Sequence, residues 1–208
     1  MQKRIILGSA SPRRRELLEQ IGISFEVKVS DREEIYTAKE PEEIVKELAC
    51  EKANHVAEDM KDSGEARRNL VIIGADTVVV LDGKILGKPK KEEEAFQMLT
   101  ALQGRSHQVY TGVAMLYYDE EEKCRKISEA KRTEVYVHAM TEAEIRRYIA
   151  TGEPMDKAGS YGIQGKFAPF IDRIEGDYYN VVGLPVAYVY QTFKELGIFG
   201  QADESEKR

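Results

Sequence analysis

Short apolar runs alternate along the chain with stretches whose apolar residues recur at helical spacing. Ile5, Ile6 and Leu7 make residues 4–7 a short buried strand, which enters the loop Gly8-Ser9-Ala10-Ser11. Ser11 followed by Pro12 predicts a helix start, Leu17, Leu18 and Ile21 supply its apolar face, and Gly22 ends it. Residues 25–29 read as a second strand with an acidic loop after it. Pro41 opens a longer helix on the stripe Ile44, Val45, Leu48, Ala49, Ala53, Val56, Ala57 and Met60. After a polar stretch at 61–69, residues 71–81 are almost continuously apolar, and Asp82-Gly83 predicts a hairpin returning through Ile85 and Leu86.

The second half continues the pattern. A helix is expected over about 90–102, closed by Gly104, then strands at 109–118 and 133–137 around a charged loop at 119–123. Thr141 with Glu144 forms a capping box, which predicts a helix over 142–150 with Gly152 as its C-cap. A Gly-rich loop at 153–166, a strand at 167–174 and a last helix over about 184–196 complete the chain. Mixed strands and helices in this order indicate an α/β domain, and the hairpin makes the sheet mixed rather than parallel. One domain over residues 1–199 is expected, with a polar, disordered tail at 200–208.

Composition narrows the function. The 208 residues carry 31 Lys and Arg against 37 Asp and Glu, a formal charge of −6. A nucleic-acid polymer or an anionic membrane is therefore not the expected partner, and any anionic ligand needs a local basic site. No apolar run approaches the roughly 20 residues of a membrane helix, and the N-terminal run is too short for a signal peptide. Cys50 and Cys124 show no CxxC spacing, and His55, His107 and His138 show no zinc spacing, so a reducing cytoplasm is expected.

Several residues do not fit a purely structural role. Arg13, Arg14 and Arg15 crowd a helix start, where the macrodipole disfavours cations by roughly 0.3–1 kcal/mol each. Either they are solvated, or a phosphate binds there with Ser9, Ser11 and the helix N–H groups. The loop is neither a Walker A motif nor a GxGxxG fingerprint. Lys52 lies on the apolar stripe of its helix, so it either snorkels outward or meets an anion. Asp76 interrupts the apolar run at 71–81, and a carboxylate buried there costs several kcal/mol unless paired or metal-bound. A structural ion pair would explain it; a catalytic carboxylate explains it better. Glu33 and Glu34 are the residue type that ligates magnesium, although most adjacent acidic pairs are solvated. Lys88 sits in the stiff turn Gly87-Lys88-Pro89. Within the loop at 153–166, Asp156, Lys157 and Gln164 supply a carboxylate, a cation and an amide among three glycines.

Taken together, Ser9-Ala10-Ser11-Pro12-Arg13-Arg14, Gly74-Ala75-Asp76-Thr77, Gly87-Lys88-Pro89, Gly104-Arg105-Ser106-His107, the loop at 153–165 and the stretch at 176–185 closely resemble the Maf family of nucleotide pyrophosphatases. The resemblance covers nearly the whole chain outside the tail. It implies an elongated α/β fold similar to the inosine triphosphate pyrophosphatases, with a cleft between two lobes. It also implies hydrolysis of a nucleoside triphosphate between the α- and β-phosphates with Mg²⁺ or Mn²⁺, and a homodimer as a family-level expectation. On the matching positions, Asp76 would be the general base and Arg13, Thr77 and Gln164 the specificity residues. Glu33, Lys52 and Lys88 would be further site residues, with Ser9, Ser11, Arg13, Lys52 and Lys88 on the phosphates and Glu33 with Asp76 on the metal. Asp156-Lys157-Ala158-Gly159 with Gln164 resembles the dTTP/UTP subgroup, with CTP a weaker substrate. Two other readings stay open at this point: a pyrophosphatase that clears modified nucleotides, and a nucleotide-binding regulator of cell division and septum formation.

Overall fold

A computed structural model describes residues 3–199; the tail expected at 200–208 lies outside the described residues. Its centre is a seven-stranded mixed sheet with strands β1 (Arg4–Leu7), β2 (Glu26–Val27), β3 (Leu70–Leu81), β4 (Lys84–Leu86), β5 (Ser106–Tyr118), β6 (Cys124–Val137) and β7 (Ile171–Glu175). The path across the sheet is β2-β1-β3-β5-β6-β7, with β4 paired to β3. β1 runs parallel to β2 and β3, and every other pairing is antiparallel. The expected hairpin is present, and both Asp82 and Gly83 adopt positive φ, as a tight hairpin turn of this kind requires.

Helices α1 (Pro12–Gln20), α2 (Pro41–Asp62), α3 (Glu92–Leu102), α4 (Glu142–Ile149), α5 (Tyr178–Val182) and α6 (Val186–Glu195) cover the sheet. β3 alternates its side chains between the two faces. Leu70 and Ile72 pack under α2 with Val56 and Met60, and Val78 and Val80 pack against Val45 of the same helix. On the opposite face there are two cores. Val71, Ile73 and Ala75 join α1 and α6 through Leu17, Leu18 and Phe193, whereas Val79 and Leu81 join α3 and α4 through Leu99, Leu102 and Ile145. The two cores part at Thr77, the residue between Ala75 and Val79 on that face.

Several boundaries depart from the sequence pattern. β6 begins at Cys124 rather than 133, because its first half has no fully buried residue and several charged ones and is held mainly by pairing with β5. β2 is a two-residue edge strand in place of 25–29. The strand expected over 167–174 is a 3₁₀ turn at Ala168–Phe170 followed by β7, since Pro169 fixes φ and offers no ladder donor. The expected last helix is α6, and a short α5 that the pattern did not predict precedes it; Asp177 caps α5 by accepting from the Tyr179 N–H at 2.8 Å, and Gly183 ends it at φ 127°. The capping box of α4 is present, with Ala150 rather than Gly152 at its C-cap.

Two glycines bring α2 close to the sheet. A Cβ on Gly74 would lie 2.0 Å from the Ala49 carbonyl oxygen, and one on Gly112 would lie 2.1 Å from that of Val45. No side chain fits at either position, so the helix lies against the bare backbone of β3 and β5. Lys52, one turn from Ala49 along α2, is carried with it to the level of Asp76.

Candidate active site

The site occupies a gap in the sheet. β5 pairs with one edge of β3 from Leu70 to Val80, so β1 and β4 share the other edge. β1 reaches only to Ile73 and β4 only from Val79, which leaves residues 74–78 without a neighbouring strand on that side. Asp76 stands at the middle of this gap. The loop leaving β1 toward α1 bounds it at one end and the turn Gly87-Lys88-Pro89 leaving β4 bounds it at the other. A crevice at the carboxyl end of a parallel strand, where a helix begins, is the usual ligand position in open α/β sheets. The cleft here has a volume of about 740 Å³, within the roughly 300–1,000 Å³ typical of small-molecule sites.

Ser9, Ser11, Arg13, Lys52, Asp76, Thr77, Lys88, Asp156, Lys157 and Gln164, all singled out in the sequence, line this one cleft. Lys52 reaches Asp76 at 3.1 Å and also contacts Glu34. Its side chain is 16% exposed and that of Asp76 is 19%, so the ammonium meets its anions at the edge of the core rather than snorkelling away. α1 has no side-chain cap, and the Ser9 hydroxyl accepts from the Ser11 N–H at 3.3 Å. The first-turn N–H groups therefore remain available to an anion. Arg13 faces Asp156 across the cleft at 3.6 Å. Lys157 donates to the Asp156 carboxylate at 2.7 Å and to the Glu153 carbonyl at 2.8 Å, which commits it to the loop's own structure. Gln164 is exposed in the turn closed by the Gly165 N–H to the Gly162 carbonyl.

Glu33 stands apart from these residues. It is exposed and lies outside the cleft lining, and its neighbour Glu34 takes the place beside Lys52. Successive side chains of an extended loop point in different directions, and sequence position alone does not say which of two adjacent carboxylates turns inward.

Arg14 is the main residue that the sequence argument passed over. It is buried, donating from Nε to the Gly183 carbonyl at 2.8 Å, from Nη1 to Ser9 Oγ at 2.9 Å and from Nη2 to Thr77 Oγ1 at 3.1 Å. Burial disfavours its charge, and the nearby Asp76 carboxylate opposes that effect; a guanidinium in this setting stays protonated. The signal was available: Arg14 precedes Leu17 by three residues and Leu18 by four, which puts it on the buried stripe of α1. Its contacts continue into a polar seam between the two cores. Thr77 Oγ1 pairs with Thr111 Oγ1 at 2.9 Å, Thr111 donates to the Asn180 carbonyl, and Asn180 Nδ2 donates to Thr133 Oγ1 at 3.0 Å.

Behind the Gly-rich loop, His107 is fully buried, and its Nε2 lies 2.7 Å from the Tyr161 hydroxyl. Burial pushes its imidazole down to about 4, against a smaller opposing pull from Glu134, so the ring is neutral at physiological pH.

The profile of the family described as "Maf-like protein" matches residues 4–196. The chain belongs to the Maf-like family. A dTTP/UTP pyrophosphatase of Agathobacter rectalis is 51% identical over 93% of this chain and 98% of the relative. Relatives of the same description from Lachnoclostridium phytofermentans and Bacillus cereus are 46% and 48% identical, over 93% and 94% of this chain and 95% and 91% of theirs. Among solved structures, the dITP/XTP pyrophosphatase of Mycobacterium abscessus covers 96% of this chain and 98% of its own at 12% identity and a TM-score of 0.40. The Staphylococcus aureus Ham1 protein covers 93% and 98% at 14% identity and a TM-score of 0.47. These two likenesses are too loose to bear on the Maf site.

The acidic groups of the cleft also bear on metal binding. Among the described residues there is no cluster of three or more His, Cys, Asp or Glu arranged to hold an ion. Glu34 and Asp76 nevertheless converge on the Lys52 ammonium. Two carboxylates suit Mg²⁺, which keeps several waters and is commonly shared between one or two protein carboxylates and substrate phosphates.

Proposed function

We propose that this Maf-family chain hydrolyses dTTP and UTP to the nucleoside monophosphate and pyrophosphate in the cleft around Asp76. The observation that carries the chemistry is the unpaired edge of β3, where one carboxylate stands among Lys52, Arg13, Arg14 and the uncapped start of α1. The substrate identity rests on the relatives, about half identical over nearly their whole length.

A triphosphate repels an attacking hydroxide, so the cleft must neutralise phosphate charge and hold one water in line with the α-phosphorus. Arg13, Lys52 and Lys88 supply cationic donors at the surface of the cleft. The Ser9 hydroxyl, which accepts from Arg14, keeps its own proton to donate. Asp76 accepts a proton from the attacking water; the oxygen–phosphorus bond forms at the α-phosphorus, and the bond from it to the α–β bridging oxygen breaks. Pyrophosphate leaves with that oxygen. Mg²⁺ or Mn²⁺, held by Asp76 and Glu34 with the substrate phosphates, would supply further charge neutralisation. Gln164 offers an amide that both accepts and donates, matching the N3–H and O4 of thymine and uracil.

The deciding measurement is pyrophosphate release from all eight common nucleoside triphosphates with each metal. dTTP and UTP should give the highest kcat/KM. Tight binding without released pyrophosphate, or a purine preference, would overturn the proposal.

A further inference from the structure

The Gly-rich loop closes on a carboxylate that does no chemistry in the scheme above. Glu153, the first residue of the loop, turns its side chain beneath it. Oε1 accepts from the Tyr148 hydroxyl at 3.0 Å and Oε2 from the Lys166 N–H at 3.0 Å. One carboxylate therefore joins the two ends of the loop to each other and to α4. The Gly162 N–H donates to the same Tyr148 hydroxyl at 3.3 Å, and the Glu153 carbonyl accepts from Lys157 at 2.8 Å.

The glycines explain themselves around this group. A Cβ on Gly165 would lie 2.1 Å from Glu153 Oε1, and one on Gly162 would lie 2.7 Å from Cε of Lys157, whose ammonium is held by the Glu153 carbonyl. The carboxylate fills the space that a side chain would otherwise take at Gly165, the closing residue of the turn at 162–165. Gln164 stands in that turn, exposed and among the residues that line the cleft. Burial and the adjacent Glu153 charge both raise the Tyr148 phenol above its ordinary range, so it stays protonated and donates.

We infer that Glu153 is a positioning residue for base selection: its carboxylate, seated on Tyr148 and the Lys166 amide, holds the turn that presents Gln164. The inference rests on the dTTP/UTP reading of the site. It makes selectivity depend on a group that need not touch the substrate, and the group acts through hydrogen-bond geometry rather than through its charge. Glutamine at the same position can accept from the Lys166 N–H through its carbonyl and donate to the Tyr148 oxygen, whose own proton then rotates away. Alanine can do neither.

The test compares Glu153→Ala and Glu153→Gln by pyrophosphate release from dTTP, UTP, dATP and GTP, with kcat and KM separated. Losing hydrogen bonds to a charged group should raise KM for dTTP and UTP by about 10- to 100-fold. The kcat of Glu153→Ala should change much less, and its preference over purines should shrink. Glu153→Gln should recover most of the wild-type KM and preference. Unchanged KM and profile in Glu153→Ala would overturn the inference. So would a Glu153→Gln variant that loses kcat at wild-type KM, since charge and not geometry would then be what matters. Should Glu153→Ala not fold, Tyr148→Phe removes one arm of the same contact; it must move KM and preference in the same direction by less, and an unchanged preference there also overturns the inference. A wild type without pyrimidine preference would fail the functional reading instead, which separates the two outcomes.

Discussion

The two ends of the cleft are built on opposite plans. At the end assigned to the phosphates, only Lys88 and Glu34 of the charged groups come from connecting segments, and Arg14 on α1, Lys52 on α2 and Asp76 on β3 sit on regular elements. Their relative positions follow from close packing, with α2 pressed onto Gly74 and Gly112. At the end assigned to the base, Asp156, Lys157 and Gln164 sit on a loop of 3₁₀ turns held by the side-chain contacts of Glu153 with Tyr148 and His107 with Tyr161, and by the backbone bond from the Gly159 N–H to the Gly87 carbonyl. The difference fits the two tasks. Chemistry on a triphosphate is common to all nucleotides and demands fixed geometry, whereas discrimination between bases is readily carried by a loop on a rigid scaffold.

That division can be tested by how each end fails. Asp76→Asn should have the largest effect, lowering kcat by about 10²- to 10⁴-fold as expected for loss of a general base. It should do so equally for every nucleotide, with the far-ultraviolet circular dichroism and the thermal midpoint close to wild type. A changed nucleotide preference in this variant would break the separation between the ends.

Next in size is acid sensitivity beneath the base end. His107 is neutral in the folded chain and titrates at about 4, but near its ordinary 6.5 once unfolded. As pH falls, the unfolded chain takes up this proton first, so the stabilisation is complete above pH 6.5 and is lost between 6.5 and 4. At one pKa unit per 1.36 kcal/mol, the loss from this residue is about 2–3 kcal/mol by pH 4.5. His107→Gln keeps a neutral hydrogen-bonding group that cannot charge. Urea unfolding at pH 7 and pH 4.5 should show the variant losing less stability on acidification than wild type, by about that amount. Equal losses would remove His107 from the support of the loop.

The smallest expected change is the most selective. Gln164→Glu retains size but loses the amide donor for O4 and adds a negative charge beside an anionic substrate. A base contact of this kind is worth about 1–3 kcal/mol of discrimination, so kcat/KM for dTTP and UTP should fall while inhibition by inorganic pyrophosphate stays near wild type. A profile unchanged across the nucleotide panel would sink the assignment of Gln164.

Much of this was legible in the chain. Asp76 and Lys52 declared themselves as charges on apolar stripes, because burying an ion without a partner is costly enough to mark a site. Arg14 gave the same signal at the same helical spacing, hidden only by the arginines on either side of it. Other features carried no such mark. The first half of β6 is held by backbone pairing, which leaves no hydrophobic alternation to read. Glu34 and Glu33 are chemically identical neighbours, and only the course of their loop over α2 selects one.

By itself, then, the sequence determined the mixed α/β class, most elements, the family and most of the charged residues that line the cleft, since periodicity, motifs and buried charge are local properties. Tertiary structure alone decided where they meet. β1 stops at Ile73 and β4 starts at Val79 on the same edge of β3, and the interval left between them holds the candidate site. The hairpin at Asp82-Gly83 sets the β4 limit locally, but β1 is separated from β3 by α1, β2 and α2, and no local pattern encodes that it shares the same edge.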